Sequence, residues 1–259
     1  MVTGNVLGTK SWTHITEPSM EVPSASVEVL EGYMERLRMG EPVQYVLGKA
    51  EFAGRSFSVA PGVLIPRPET EAMAIEALRL LQGRGQVRVL DLYTGSGCLA
   101  WTIALGHPGA EVIAVDFSQK ALEIAQRQDF SAEMAASGAV APTFVRADLL
   151  DYDSCFASGR VDLIVSNPPY VMEKEKPAMR VNVLGFEPHE ALFVPDEDPL
   201  VHYRAIAHWS DNFLATDGCG LTEINDRLGA ETLELFRSAG FKNAKFLLKF
   251  EYQFRHILY

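Results

Sequence analysis

The tetrapeptide Asn167-Pro168-Pro169-Tyr170 carries the most specific chemistry in this sequence. Two consecutive prolines fix φ and remove two N–H donors, so the loop presents carbonyls that can only accept hydrogen bonds. The Asn167 side-chain oxygen adds another acceptor, and the Tyr170 ring can stack on a flat group. Together they suit a grip on both hydrogens of one NH2 group carried by a planar amide or base. An amide nitrogen is a poor nucleophile because its lone pair is delocalised into the carbonyl. Acceptors that draw its hydrogens out of plane favour a pyramidal nitrogen, and the hydrogen bonds strengthen as positive charge develops during alkylation. No general base of unusual pKa is then required. The plain alternative is a rigid turn, and the position of the tetrapeptide at the end of a buried apolar run, 161–167, argues against that.

A second group of residues suits a nucleoside ligand. The apolar run 87–93 leads directly into Thr94-Gly95-Ser96-Gly97-Cys98-Leu99-Ala100, where glycines let the backbone turn sharply and approach a ligand. The next run ends in Asp116, placed to accept hydrogen bonds from two ribose hydroxyls. A third ends in Asp148-Leu149, a carboxylate and an apolar neighbour that could hold the amino group and face of an adenine. The stretch from Gly95 to Ala100 also fits G-x-G-x-x-G/A, which leaves a nicotinamide or flavin dinucleotide open. Asp91 leans the other way, because a carboxylate at the strand end repels pyrophosphate and suits a cationic methionine moiety.

The elements that must position these groups follow from periodicity. Strands are expected at 87–93, 111–116, 143–148, 161–167 and 220–225, alternating with helices near 97–105, 118–129, 199–214 and 227–239. Buried, Val/Ile-rich strands alternating with helices mean an α/β protein with a doubly wound parallel sheet. Two runs at 245–250 and 254–259 suit an antiparallel pair closing one edge. Ahead of this core, 1–23 shows no sustained pattern. The stretch 24–39 reads as one amphipathic helix stopped by Gly40, and 44–60 as two short strands, the first including Tyr45 to Gly48, turning at Ala53-Gly54. Pro66 and Pro68 hold an extended segment before a helix over 69–81. The expected division is a lead-in, helix and β-hairpin over 1–60 and a catalytic domain over 61–259.

Composition bounds the partners. A net charge of −11 argues against a large nucleic-acid footprint, which needs clustered Lys and Arg, and favours a protein partner. No apolar run approaches the length of about 20 residues that spans a membrane, and the start lacks a secretory layout, so a cytoplasmic protein is expected. The three cysteines, Cys98, Cys155 and Cys219, read as reduced thiols, and none of the six histidines has a partner at metal-ligand spacing. His202 and His208 read as surface or packing residues, and no metal is expected.

With both motifs in view, the chain resembles the bacterial peptide chain release factor glutamine N5-methyltransferases, the PrmC/HemK family. Beyond the Asn-Pro-Pro-Tyr loop, the likeness rests on three stretches. These are Gly40-Glu41-Pro42-Val43-Gln44-Tyr45-Val46-Leu47-Gly48, Ile65-Pro66-Arg67-Pro68-Glu69-Thr70-Glu71 and Phe186-Glu187-Pro188-His189-Glu190-Ala191-Leu192-Phe193. The resemblance implies the S-adenosylmethionine-dependent methyltransferase fold, with a seven-stranded, mostly parallel sheet. It implies a methyl acceptor that is the glutamine of the Gly-Gly-Gln loop of class I release factors. It also implies that Tyr93, Thr94, Gly95, Ser96, Gly97, Asp116 and Leu149 line the S-adenosyl-L-methionine pocket together with Asp148 and Asn167. Asn167, Pro168, Pro169 and Tyr170 would hold the glutamine amide, with Arg67 and Glu69 near the cofactor or the pocket mouth. Glutamine methylation of a ribosomal protein and N6-adenine methylation of nucleic acid use a similar loop and are the alternatives. The chain departs from the family in having Tyr93 where Gly is common, and in offering one clear helix where the family carries a bundle ahead of the hairpin.

Overall fold

The computed structural model describes residues 2–10, 12–154, 159–247 and 255–259. Two short helices, α1 (Val2–Leu7) and α2 (Thr13–Thr16), lie in the stretch that shows no sustained apolar periodicity. The amphipathic α3 (Ser24–Arg38) follows and ends at Gly40, whose φ is +89°. The segment containing Tyr45 to Leu47, expected to be extended, is instead the helix α4 (Val43–Leu47). A short apolar run does not distinguish strand from helix by itself. Here Pro42 opens the turn, Tyr45 and Val46 are both buried, and Gly48 closes it at φ +70°.

The hairpin β1 (Lys49–Phe52) and β2 (Arg55–Ser58) pairs antiparallel. It turns at Ala53 and Gly54, both at positive φ, as two-residue hairpins require. Phe52 and Phe57 sit in the same apolar cluster as Met73, Leu99 and Trp101, so the hairpin packs on the helical layer of the main core. The helix α5 (Pro68–Leu81) begins with proline at its first turn, where an N–H has no helical partner, and carries Glu69 and Glu71 at its positive end.

The core then runs β3 (Val87–Leu92), α6 (Cys98–Gly106), β4 (Ala110–Asp116), α7 (Gln119–Gln126), α8 (Ser131–Ser137), β5 (Thr143–Arg146) and β6 (Val161–Ser166). It continues with β7 (Val171–Met172), α9 (Val181–Phe186), β8 (Phe193–Val194), α10 (Val201–Phe213), β9 (Leu214–Ile224), α11 (Gly229–Ser238), β10 (Lys245–Leu247) and β11 (Arg255–Leu258). Seven strands form the main sheet in the order β10-β11-β9-β6-β3-β4-β5. Pairs from β9 to β5 are parallel and the β11 pairs antiparallel, as expected for an edge closed by the last two runs. Residues 248–254 of those runs lie outside the described residues, as does Cys155.

Strand order reverses between β3 and β6: the chain steps outward from β3 through β4 and β5, then returns to the other side of β3. A crevice opens at the carboxyl ends of the strands flanking such a point. Leu92 pairs with Ser166 across it, and the Ser166 hydroxyl donates to the Leu92 carbonyl at 3.1 Å. The loops that begin at Tyr93 and Asn167 therefore leave the sheet side by side.

Candidate active site

That crevice is the cavity into which most of the expected residues converge. Its wall includes Tyr93, Thr94, Gly95, Ser96, Asp116, Asp148 and Leu149 from the nucleoside side, Asn167 and Pro169 from the acceptor loop, and Arg67 at the mouth. The turn after β3 is shaped by its backbone. Gly95 and Gly97 sit at φ +55° and +78°, and Gly97 opens α6. Tyr93 also lies in the left-handed region, at φ +62°, which explains why glycine suits this position. The tyrosine is kept there with its hydroxyl 3.1 Å from His202 Nδ1.

Asp116 ends β4 and is half-buried. Its Oδ2 accepts from Gly95 N at 2.8 Å and its Oδ1 from Ser118 N at 2.9 Å. A carboxylate has about four lone-pair positions, so both oxygens retain capacity for a ligand hydroxyl. Burial pushes its pKa upward against those backbone donors. Asp148 and Leu149 lie just beyond β5 rather than within it; Leu149 is buried, and its carbonyl accepts from Trp209 Nε1 at 2.8 Å.

Asp91 stands differently from expectation. It is fully buried beneath the turn, with Oδ2 accepting from Thr94 Oγ1 at 2.6 Å and from Ala100 N at 3.1 Å, while Oδ1 has no hydrogen-bond partner. Burial pushes its carboxyl up to about 7. Asp91 thus braces the turn from below. The opposite surprise is His202, expected as a surface or packing residue, which lies in the cavity wall. Burial holds its imidazole down at about 4, so it is neutral near pH 7.

The acceptor loop is fixed from behind. Asn167 Nδ2 donates to Thr70 Oγ1 at 2.9 Å, Thr70 Oγ1 donates to Glu223 Oε2 at 2.8 Å, and the Tyr170 hydroxyl donates to Glu223 Oε1 at 2.7 Å. Asn225 Nδ2 donates to the Tyr170 carbonyl at 2.9 Å. Pro168 and Pro169 are buried and Tyr170 half-buried. No sequence pattern assigns Thr70, Glu223 or Asn225 to the site. Glu69 stays half-buried in the first turn of α5 while its neighbour Arg67 reaches across the mouth to Glu187 Oε1 at 2.6 Å.

The charged side chains in the wall decide between the two nucleoside readings. Asp116, Asp148 and Glu190 face Arg67, and His202 is neutral, so the cavity carries an excess of negative charge. That repels a pyrophosphate and suits a cationic ligand. Among the described residues no cluster of His, Cys, Asp or Glu could hold a metal ion, and no helix is long and apolar enough to cross a membrane.

Comparison with known proteins gives the family and the fold. The release factor glutamine methyltransferase of Bacteroides thetaiotaomicron is 42% identical over 216 residues, covering 83% of this chain and 74% of its own. That of Flavobacterium psychrophilum is 38% identical over 232 residues, covering 88% and 79%. The chain belongs to the release factor glutamine methyltransferase family. The Methyltransferase small domain matches residues 74–184, which spans α5 to α9 and includes both loops. Among solved structures, a T. thermophilus 16S rRNA methyltransferase in complex with AdoMet and guanosine superposes with a TM-score of 0.54 at 21% identity, covering 81% of this chain and 48% of that one. A methyltransferase from Pyrococcus furiosus gives 0.52 at 16% identity, covering 88% and 96%. At such identities the likeness is one of fold. It is the S-adenosylmethionine-dependent methyltransferase fold.

Proposed function

We propose that this protein methylates the side-chain amide nitrogen, N5, of the glutamine in the Gly-Gly-Gln loop of class I peptide chain release factors. The observation that carries the reading is the hydrogen bond from Asn167 Nδ2 to Thr70, which leaves Asn167 Oδ1 as the end of that amide available to a substrate NH2. S-adenosyl-L-methionine, when bound, supplies a methyl group activated by a sulfonium centre. The residues present fit it. Asp116 offers lone pairs to a ribose diol, Leu149 and the exposed Phe117 offer apolar surface to an adenine, and the acidic wall accepts a cation. Tyr93 to Ser96, Asp148 and Asn167 complete that side of the pocket, and Gly97 shapes the turn behind them.

On the acceptor side, Asn167 Oδ1 and the carbonyls flanking the two prolines accept both hydrogens of the glutamine NH2. They hold its plane fixed and stabilise the positive charge that grows on nitrogen as it is alkylated. The rigid prolines make this arrangement available before substrate arrives, which reduces the ordering cost at the moment of reaction. Arg67, ion-paired with Glu187, supplies the cation at the mouth on the substrate side.

The test is transfer of label from S-adenosylmethionine to a release factor, repeated with the Gly-Gly-Gln glutamine changed to alanine. Label on the wild-type factor alone is the expected result. Label that persists on the alanine variant, or that never appears on the wild type, would rule the reading out.

A further inference from the structure

We infer that Glu223, acting through Thr70, is a positioning residue that sets which end of the Asn167 amide faces the substrate. The inference rests on the reading of Asn167 to Tyr170 as the grip on the glutamine NH2. Thr222 of β9 pairs with Ser166 of β6, so Glu223 and Asn167 each follow a paired residue on adjacent strands. The Glu223 side chain is buried to 1% exposure, and its two oxygens are used separately. Oε1 takes the Tyr170 hydroxyl and Oε2 the Thr70 hydroxyl.

A threonine hydroxyl has a single hydrogen, and here it is committed to the carboxylate. Toward Asn167, Thr70 Oγ1 can then only accept. The amide must therefore offer its NH2 to Thr70, because the reverse orientation would set two acceptors against each other. The outcome is an Oδ1 left for the substrate. This polarity decides the chemistry: an NH2 pointing outward would meet the NH2 of the glutamine as donor against donor. Tyr170 is held in the same way. Burial, then the adjacent Glu223 carboxylate, raises its pKa well above the usual phenol value, so its hydroxyl keeps its proton and remains a donor to Glu223. His256 Nε2 lies 3.9 Å from Glu223 Oε2, too far to compete as a hydrogen bond.

The experiment measures kcat and KM for the release factor, cofactor Kd and thermal unfolding for Thr70→Val, Thr70→Ser, Glu223→Gln and Asn167→Ala. Thr70→Val keeps the shape and removes the hydroxyl. It should lower kcat at least about tenfold while cofactor Kd moves by less than about threefold, since a lost orienting contact acts on the developing charge more than on ground-state binding. Thr70→Ser should return kcat to within about threefold of wild type, which a purely packing role of the side chain would not produce. Glu223→Gln should lower kcat as Thr70→Val does, because an NH2 now shares the site and the Thr70 hydrogen is no longer committed. Wild-type kcat in Thr70→Val beside an inactive Asn167→Ala would overturn the positioning role alone. So would a Thr70→Ser variant as slow as Thr70→Val. Wild-type kcat in Asn167→Ala would instead overturn the reading of the acceptor loop. If Thr70→Val does not fold, Thr70→Ala against Thr70→Ser makes the same comparison.

Discussion

Arg67 and Glu187 are 120 residues apart in sequence and form an ion pair at the mouth of the cavity, with Nη2 2.6 Å from Oε1. The pair joins two stretches that resemble the family, 65–71 and 186–193. Glu187 Oε2 also accepts from Ile65 N at 3.0 Å, and the Tyr45 hydroxyl from the third such stretch donates to the Val63 carbonyl at 2.5 Å. The three stretches are therefore one structural unit that frames the pocket entrance. Through Thr70, whose Oγ1 accepts from Asn167 Nδ2 at 2.9 Å, the same unit also reaches the acceptor loop.

Removal of the arginine should be felt mainly in stability. Glu187 is 1% exposed and Arg67 31%, so Arg67→Ala leaves a buried carboxylate with only a backbone donor, while solvent screening on the arginine side reduces the full cost. Urea unfolding should show a loss of about 2 kcal/mol for Arg67→Ala and a smaller one for Arg67→Lys, which retains charge without the fork. An alanine variant as stable as wild type would mean that water replaces the arginine freely.

The two glycines of the turn should fail in different ways. A Cβ on Gly97 would lie 3.0 Å from Ala125 Cβ and 3.2 Å from Trp101 Cδ1, in addition to the strain of φ +78°. A Cβ on Gly95 meets nothing within 4 Å and points into open space at φ +55°. Gly97→Ala should therefore cost about 2 to 4 kcal/mol in unfolding, combining backbone strain with crowding, and Gly95→Ala about 1 to 2 kcal/mol from strain alone. Cofactor affinity measured by calorimetry should fall for Gly95→Ala more than its stability does, because the added methyl occupies ligand space. Equal stability losses in both variants would show that crowding at Gly97 is relieved by a shift of the helix.

A third glycine tests the sheet edge. Gly220 exchanges two backbone hydrogen bonds with Tyr259, at 2.8 and 3.0 Å, and a Cβ there would overlap the Tyr259 ring. Gly220→Ala must displace a ring packed on Phe236 and should cost about 3 kcal/mol or more. Gly220→Ala combined with Tyr259→Leu should recover much of that loss if the clash is the cause. A double variant no better than the single one would place the cost in the backbone instead.

The parts of the fold that could be read from the sequence are those whose cause is local. β3, β4 and β6 are apolar runs bounded by turns, the hairpin is announced by Ala53-Gly54, and Asn167 to Tyr170 is rigid by composition. What could not be read depends on distant packing. Glu223 sits in a run that reads as an ordinary strand end, and only the approach of α5 from one side makes it the acceptor for Thr70. Thr70 itself reads as a residue of a helix start. His202 has the spacing of a helix surface, yet Tyr93 meets it at the pocket wall. The position of Asp91 at a strand end is legible, but its depth below the turn follows from the Thr94 and Ala100 donors that fold over it.

Asp91 and His202 should give the stability curve two opposed slopes. Burial holds His202 at about 4 against an ordinary 6.5, so between those values the unfolded chain binds a proton that the folded chain refuses. Its contribution is present above about 6.5 and is lost as pH falls toward 4. Asp91 is pushed the other way, up to about 7 from 3.8, so the folded chain keeps a proton that the unfolded chain has released. Its contribution is present at low pH and is lost as pH rises from 3.8 through 7. Calorimetric unfolding across pH 4 to 8 separates the two through single variants. His202→Gln should lose less stability than wild type on acidification below about pH 6.5, and Asp91→Asn should gain on wild type between about pH 5 and 8, where the wild-type chain must ionise a buried carboxyl. Curves that run parallel to wild type in either variant would show that the group titrates alike in the folded and unfolded chains, and that burial there is relieved by water.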